Sequence, residues 1–552
     1  MKKILILCCW FQLVLLGAGE LLLRFGAITD NHLDSRFPDS WQRTKLAFEF
    51  FRKHRVQFFV DAGDVTDTFQ PEMFKLWRKM YLEVFSDAAS RPDFLMIPAG
   101  HDKSGAESTA KGYAEFVRLT GSGAVNPVKV VNGIHFVSLA QWQNVNILKR
   151  NLDAAIAATA PGRPVFVITH VPPKNTTGGS GGKASGDAAL RTLLNKYPQV
   201  IVLSGHNHSR LIDARSAWQG EFTAVNLGSL AYCGDGGIAN FSDRPKAHDA
   251  AIVEVYRSRV VFRRFNVKSG EEVFPEKPWQ IPLPFSRENS PLNWQFQQKN
   301  AAVPAFKKDA FIGFKAEFLD RMRWGVLEIP LEKLANSEMV SKYRVEVVRI
   351  ASSGERVRCG MVEFSRCAMP VPGSREKFAF PAGYLEAKSN YLISVIPYDF
   401  WGRRGNAVSG KFRVDTVPWS EVPIGQWEFS GQPWKTRNIV KPDAGGFVAV
   451  SGDMRFALPR QAVELARKQQ KKNVIITLDI ECVGKGKAAN LRISNDRNRI
   501  ISPNTGEYRE KALPLRYSFI FQPDRKSQDH YLLIRRGSPG KYRFSNLKCY
   551  IY

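Results

Sequence analysis

Leu21-Leu-Leu-Arg-Phe-Gly-Ala-Ile-Thr29-Asp30-Asn31-His32 is an apolar run that ends abruptly in a carboxylate and an imidazole. The same event recurs four times. Val56 to Val60 leads into Ala62-Gly63-Asp64-Val65-Thr66-Asp67, and Phe94 to Ile97 into Ala99-Gly100-His101-Asp102. Val165 to Thr169 leads into His170-Val-Pro-Pro173, and Val200 to Leu203 into Ser204-Gly205-His206-Asn207-His208. Short apolar runs of this kind read as buried strands, as does Ile134 to Leu139. Helical patterns at Trp41 to Arg55 and Pro71 to Ala88 lie between them. Strands alternating with helices predict an α/β domain over residues 20–270. In such a sheet, sites form just beyond the carboxyl ends of the strands, where all five clusters stand.

Taken singly, each cluster has an ordinary explanation. A histidine after a strand commonly caps or packs, and Asp64 with Asp67 fits a turn followed by a helix N-cap. Together they carry five of the nine histidines, in an order DxH, GDxxD, GHD, H, GHxH. Imidazole and carboxylate side by side suit divalent transition ions such as Mn, Fe, Zn or Ni. The five clusters therefore predict one shared metal site.

This set resembles the calcineurin-like metallophosphoesterases, whose pattern is DxH, GDxxD, GNHD or GNHE, H, then GHxH. Asn226-Leu-Gly-Ser229 resembles the family's closing loop. The resemblance covers about residues 20–265. It implies a four-layer α/β/β/α sandwich with two metal ions at the strand ends. It assigns Asp30, His32, Asp64 and His208 to one ion. It assigns Asp64, the position of Gly100, His170 and His206 to the other. His101 would protonate the leaving group, with Asp102 orienting its imidazole. Asp67 is expected in support of the ligands or, with Asn207 and Tyr232, along the substrate pocket. A helix-capping Asp67 is the alternative.

One position departs from the family. Gly100 stands where the pattern has Asn, and glycine has no side chain to offer. The second ion thus lacks one oxygen ligand, and its site is expected to be weakened. The reading that follows is a metal-dependent phosphoesterase, acting on phosphomono- or phosphodiesters through a metal-activated hydroxide. The alternative is a protein that lost catalysis and kept a binding role toward glycans or polyanions.

The remainder of the 552 residues sets the context. Lys2 and Lys3, the apolar stretch Ile4 to Leu16, and Gly17-Ala-Gly19 form a signal-peptide pattern over residues 1–19. An uncleaved anchor is the rival, since Leu21 to Leu23 prolong the apolar stretch. No apolar run inside the chain reaches the ~18 residues of a membrane span. A secreted or periplasmic location follows as an expectation. Export permits disulfides among Cys233, Cys359, Cys367, Cys482 and Cys549. Cys359 with Cys367 and Cys482 with Cys549 are candidate pairs, and five reduced, buried thiols the alternative.

Residues 271–300 hold five prolines without helical period and are expected to be a linker. Residues 301–416 alternate as strands and loosely resemble a fibronectin type III domain. Residues 425–552 continue all-β, apart from a helical piece at Arg460 to Gln470, and resemble a jelly roll. The net charge is +27, and residues 451–552 alone carry 21 basic and 9 acidic groups. That excess suits a polyanionic partner, although a solvated basic surface explains it as well. Lys174 to Gly182, rich in glycine, follows His170 directly and reads equally as a lid or as a passive loop.

Overall fold

The computed structural model describes residues 19–36, 39–103, 109–177, 186–233, 247–319, 322–366, 375–381, 385 and 388–414, and separate strands and one helix within 426–551. The signal-peptide pattern and residues 178–182 of the glycine-rich loop lie outside the described residues, as do the side chains of Cys359, Cys367, Cys482 and Cys549. Two compact units are present, one of them ending at Ala302. No helix among the described residues is long and apolar enough to cross a membrane.

The first unit opens β1 (Leu21–Ile28), α1 (Asp39–Lys53), β2 (Phe58–Asp61), α2 (Pro71–Val84), β3 (Asp93–Met96) and α3 (Thr109–Thr120). It continues with β4 (Val128–Val131), β5 (Ile134–Leu139), α4 (Val145–Ala158), β6 (Val165–Thr169), α5 (Ala188–Leu194), β7 (Val200–Ser204), β8 (Ala217–Gln219) and β9 (Thr223–Asn226). β10 (Asp249–Tyr256), β11 (Arg259–Asn266), β12 (Glu271–Glu272) and β13 (Trp279–Pro282) complete its strands. One sheet has the order β12-β11-β10-β1-β2-β3, with β13 also on β11. The other has the order β4-β5-β6-β7-β9-β8. β1, β2 and β3 run parallel, as do β5, β6, β7 and β9.

Side-chain alternation explains the layers. Leu23, Phe25 and Ala27 of β1 meet Phe136, Phe166, Ile168 and Leu203 of the second sheet in one core. Phe25 packs edge-on against both Phe136 and Phe166, each at 5.1 Å between centroids. The opposite faces are buried too. Phe59, Phe94 and Met96 pack on Phe48, Phe51 and Trp77 of the first helices. Val137, Val167 and Val202 pack on Leu148, Leu152, Leu190 and Leu194 of α4 and α5. Strands buried on both faces are apolar at nearly every position, which is why they read as continuous runs. The outcome is the expected helix–sheet–sheet–helix order.

Residues 271–300 depart from the linker reading. β12 and β13 extend the first sheet on β11, and Trp279, Ile281 and Leu292 are core residues. Prolines at positions 275, 278, 282 and 284 crowd this strand, but Trp279 and Ile281 alternate inward between them. Pro is tolerated where a strand begins or ends.

A buried ion pair fastens the turn after β7 to β10. Arg210 Nε donates to both carboxylate oxygens of Asp249, at 3.0 and 2.8 Å, and both side chains are almost fully buried. Asp249 also accepts from Leu211 N at 2.9 Å. Arg210→Met is expected to lower stability by roughly 3–5 kcal/mol, because it strands a buried carboxylate. Urea unfolding of the variant beside the parent measures this.

The second unit includes β14 (Ala305–Phe306), β15 (Gly313–Leu319), β16 (Met322–Pro330), β17 (Leu334–Ala335), β18 (Val340–Ile350), β19 (Arg356–Ser365), β20 (Arg375–Pro381), β21 (Ser389–Asp399) and β22 (Val408–Val414). Antiparallel sheets β15-β16-β20 and β19-β18-β21-β22 share a core of Leu327, Ile329, Tyr343, Val345, Tyr391 and Ile393. The strands within 426–551 form two more antiparallel sheets, of six and three strands. These β-rich regions are consistent with β-sandwich domains.

Candidate metal centre

The parallel strands β1, β2 and β3 of one sheet and β6 and β7 of the other all end at the same edge of the sandwich. Asp30 and His32 follow β1, Asp64 follows β2, His101 follows β3, His170 follows β6, and His206 and His208 follow β7. Five of these residues have left-handed backbone: Asp30 at φ 53°, His32 at 47°, Asp64 at 52°, His206 at 71° and His208 at 49°. Each costs on the order of 1–3 kcal/mol and persists only where the surroundings over-determine it. The surroundings do so by hydrogen bonds between turns. Asp30 N donates to Gly63 O at 2.9 Å, His32 N to Asp64 O at 3.1 Å, and Gly205 N to His170 O at 2.9 Å. Gly205 is required there, because a Cβ would lie 2.1 Å from Thr29 Oγ1 and 2.3 Å from Asp30 Oδ2.

Each carboxylate divides its work. Asp30 Oδ2 accepts from Thr29 Oγ1 at 2.9 Å and from His206 N at 3.0 Å. Asp30 Oδ1 is buried without a hydrogen-bond partner and faces three imidazole nitrogens. Those are His208 Nε2 at 3.0 Å, His32 Nε2 at 3.7 Å and His170 Nε2 at 4.0 Å. Asp64 Oδ1 accepts from His101 N at 3.0 Å, while Asp64 Oδ2 faces His170 Nε2 at 2.9 Å. One oxygen of each is thus spent on structure and the other is left for a cation.

The imidazoles are oriented from behind. His170 Nδ1 lies 3.0 Å from Ala62 O, His208 Nδ1 lies 2.9 Å from Tyr232 O, and His32 Nδ1 lies 3.0 Å from Asp67 Oδ1. Each partner can only accept, so each Nδ1 carries the proton and each Nε2 turns its lone pair inward. His32 Nε2 and His208 Nε2 stand 3.2 Å apart. Two lone pairs at that distance need a proton or a metal ion between them. The structure thus brings together Asp30, His32 and His208 around one point and Asp30, Asp64 and His170 around another, the ligand atoms of each set lying within 4.8 Å of one another. With Asp30 Oδ1 and His170 Nε2 buried and unsatisfied, the donor set fits two divalent ions.

Protonation tells the same story. Burial would lower His170, yet the charges of Asp64 and Asp30 push it up to about 10. Burial would lower His32 as well, and hydrogen bonds to Asp30 and Asp67 raise it to about 9. Burial would raise Asp64, but the charge of His170 brings it down to about 2. In the absence of metal, protons take the place of cations.

Other expected residues fall differently. The ring of His206 packs on His170 at 5.3 Å, outside both ligand clusters. Asp102 does not orient the imidazole of His101. Its oxygens are taken by Val65 N, Thr66 N, Thr66 Oγ1 and Ala99 N, at 2.9–3.2 Å. It ties the loop after β2 to the loop after β3, because its buried carboxylate finds backbone donors closer than the ring. His101 Nδ1 instead meets Asp67 O. Asp67 therefore positions His32 with its carboxylate and His101 with its carbonyl, rather than lining a pocket. Tyr232 stacks on His208 at 4.2 Å, and Asn207 Nδ2 donates to Thr177 O at 3.3 Å.

Gln141, which sequence reasoning did not single out, follows β5, and its Oε1 is buried without a hydrogen-bond partner beside Gly100. Residues 23–210 match the family described as calcineurin-like phosphoesterase. The chain is similar to a dimetal phosphatase from Danio rerio, at 12% identity over 44% of this chain and 96% of that one, with a TM-score of 0.32. It is similar to GAP50, the anchor in the inner membrane complex of Plasmodium, at 16% identity over 49% and 90%, with a TM-score of 0.34. It is also similar to the purple acid phosphatase PPD1 from yellow lupin, at 11% identity over 48% and 54%, with a TM-score of 0.35. No curated protein matches the chain.

Proposed function

We propose, from the premise that residues 23–210 form a calcineurin-like phosphoesterase domain, that the chain is an exported dimetal hydrolase of phosphate esters. The observation that carries this reading is the pair of free carboxylate edges, Asp30 Oδ1 and Asp64 Oδ2, set against the Nε2 atoms of His32, His170 and His208. Two divalent ions bound there would polarise a phosphoryl group and lower the pKa of the attacking water.

The chain's own residues supply the rest. Asp30 and Asp64 hold their geometry through backbone N–H groups, so nothing need reorganise during reaction. His101 donates from Nδ1 to Asp67 O, so Nε2 is the atom that exchanges a proton with substrate. That ring is 47% exposed and Nε2 lies 4.0 Å from Asp64 Oδ2, at the mouth of the site. From there it would protonate the departing ester oxygen. The signal-peptide pattern supports export, and the basic residues 451–552 support attachment to glycans or other polyanions. Gly100 favours a second reading, a surface-binding protein that has lost turnover.

Hydrolysis of bis(p-nitrophenyl) phosphate and p-nitrophenyl phosphate with Mn²⁺, beside His170→Ala, tests the two. Turnover that falls at least about 100-fold in His170→Ala establishes the hydrolase and ranks diester against monoester. A parent protein that binds Mn²⁺ without turning over either ester would favour the binding reading.

A further inference from the structure

The place of the missing amide is not empty. A Cβ at Gly100 would lie 3.1 Å from Gln141 Oε1, 3.5 Å from Trp142 Cη2 and 3.8 Å from Asp64 Oδ1. The carboxamide oxygen of Gln141 therefore stands beside the point where a side chain at position 100 would begin, and Asp64 Oδ1 flanks that same point. Gln141 Oε1 is buried and has no hydrogen-bond partner. A buried amide carbonyl with two idle lone pairs is costly and calls for an explanation.

The backbone around Gln141 is held on every side. Ala140 N donates to Asn126 Oδ1 at 2.7 Å, and Tyr113 Oη donates to Gln141 O at 3.0 Å. Gln143 N closes a turn on Ala140 O at 3.2 Å, with Trp142 in the left-handed region at φ 60°. Lys103 Nζ sits 3.9 Å over the Trp142 ring, which keeps that ring beside Gly100. β5 pairs in parallel with β6, so Gln141 and His170 leave neighbouring strands toward the same edge.

We propose that Gln141, through Oε1, is the oxygen ligand of the second metal ion, in place of the side chain that Gly100 lacks. An amide oxygen from Gln is chemically the same ligand as one from Asn, delivered by a longer side chain from the adjacent sheet. Glycine at position 100 leaves that amide room, because a Cβ there would stand 3.1 Å from Oε1 and press on it. The inference rests on the dimetal reading above.

The test is a Mn²⁺ titration of the metal-free full chain by calorimetry, with bound manganese counted after gel filtration. The variants are Gln141→Ala, Gln141→Glu and the double variant Gly100→Asn with Gln141→Ala. The parent is expected to bind two ions. Gln141→Ala should keep the tighter site unchanged and lose at least about 10-fold in affinity at the weaker one. Gln141→Glu and the double variant should regain that affinity, since each restores an oxygen. Thermal unfolding of each metal-free variant checks folding, and if Gln141→Ala alone does not fold, Gln141→Glu and the double variant still decide. Equal second-site affinity in the parent and Gln141→Ala overturns the inference while leaving the dimetal reading intact. So does a double variant weaker than Gln141→Ala. A parent that binds no divalent ion overturns the dimetal reading itself.

Discussion

Asp64→Asn is expected to reduce turnover by roughly 10³-fold or more and to cost the protein at least one of its two ions. The variant keeps the shape. Asn at φ 52° is at least as comfortable as Asp, since both tolerate left-handed backbone. Its amide oxygen can still accept from His101 N, as Asp64 Oδ1 does at 3.0 Å. What is lost is the negative edge toward His170, where Oδ2 lies 2.9 Å from Nε2. The metal-free fold should therefore survive while metal binding and catalysis do not. Turnover, manganese per chain and the metal-free melting temperature, measured together, separate these effects. A variant with two ions and turnover within tenfold of the parent would remove Asp64 from the centre of the site.

Much of the site was legible because strand ends are legible. An apolar run stopping at Asp or His needs no homologue to be noticed, and sheet topology alone brings five such ends to one edge. The fold class followed from the same runs. Contacts between loops were not legible. Asp102 reads as a partner for the adjacent ring, yet backbone donors from two loops reach it first. Asp67 reads either as support for the ligands or as a helix cap, and only the contact of its carboxylate with His32 separates the two. Gln141 carries no motif. The metal-binding role proposed for it depends on β5 lying beside β6, which is a fact of pairing and not of local sequence. α4 left a usable signal in Asn144, whose side chain accepts from Asn146 N, followed by Leu148, Leu152 and Ala155 on one buried face. β13 was concealed by the prolines that flank Trp279 and Ile281.

Removing the metals should destabilise the first unit far more than the second, and increasingly so as pH rises. An ion bound only by the folded state at about a thousand times its Kd stabilises by about 4 kcal/mol. For a unit of this size that is about 10 °C in Tm. Without ions, protons on His32 and His170 neutralise the buried carboxylates. Their folded pKa values, about 9 and about 10, lie above the ordinary 6.5. A raised folded pKa contributes stability that is fully present below 6.5 and is lost as pH climbs through 9 to 10. The metal-free unit therefore weakens from neutral to alkaline pH. Metal binding moves the other way, because it must displace those same protons and strengthens as they leave. The gap between Tm with Mn²⁺ and Tm with chelator is thus expected to widen from pH 6.5 to pH 9, in the transition of the first unit alone. Scanning calorimetry at both pH values measures it. A gap that narrows with pH would mean that the cation held in this site is a proton and not a metal ion.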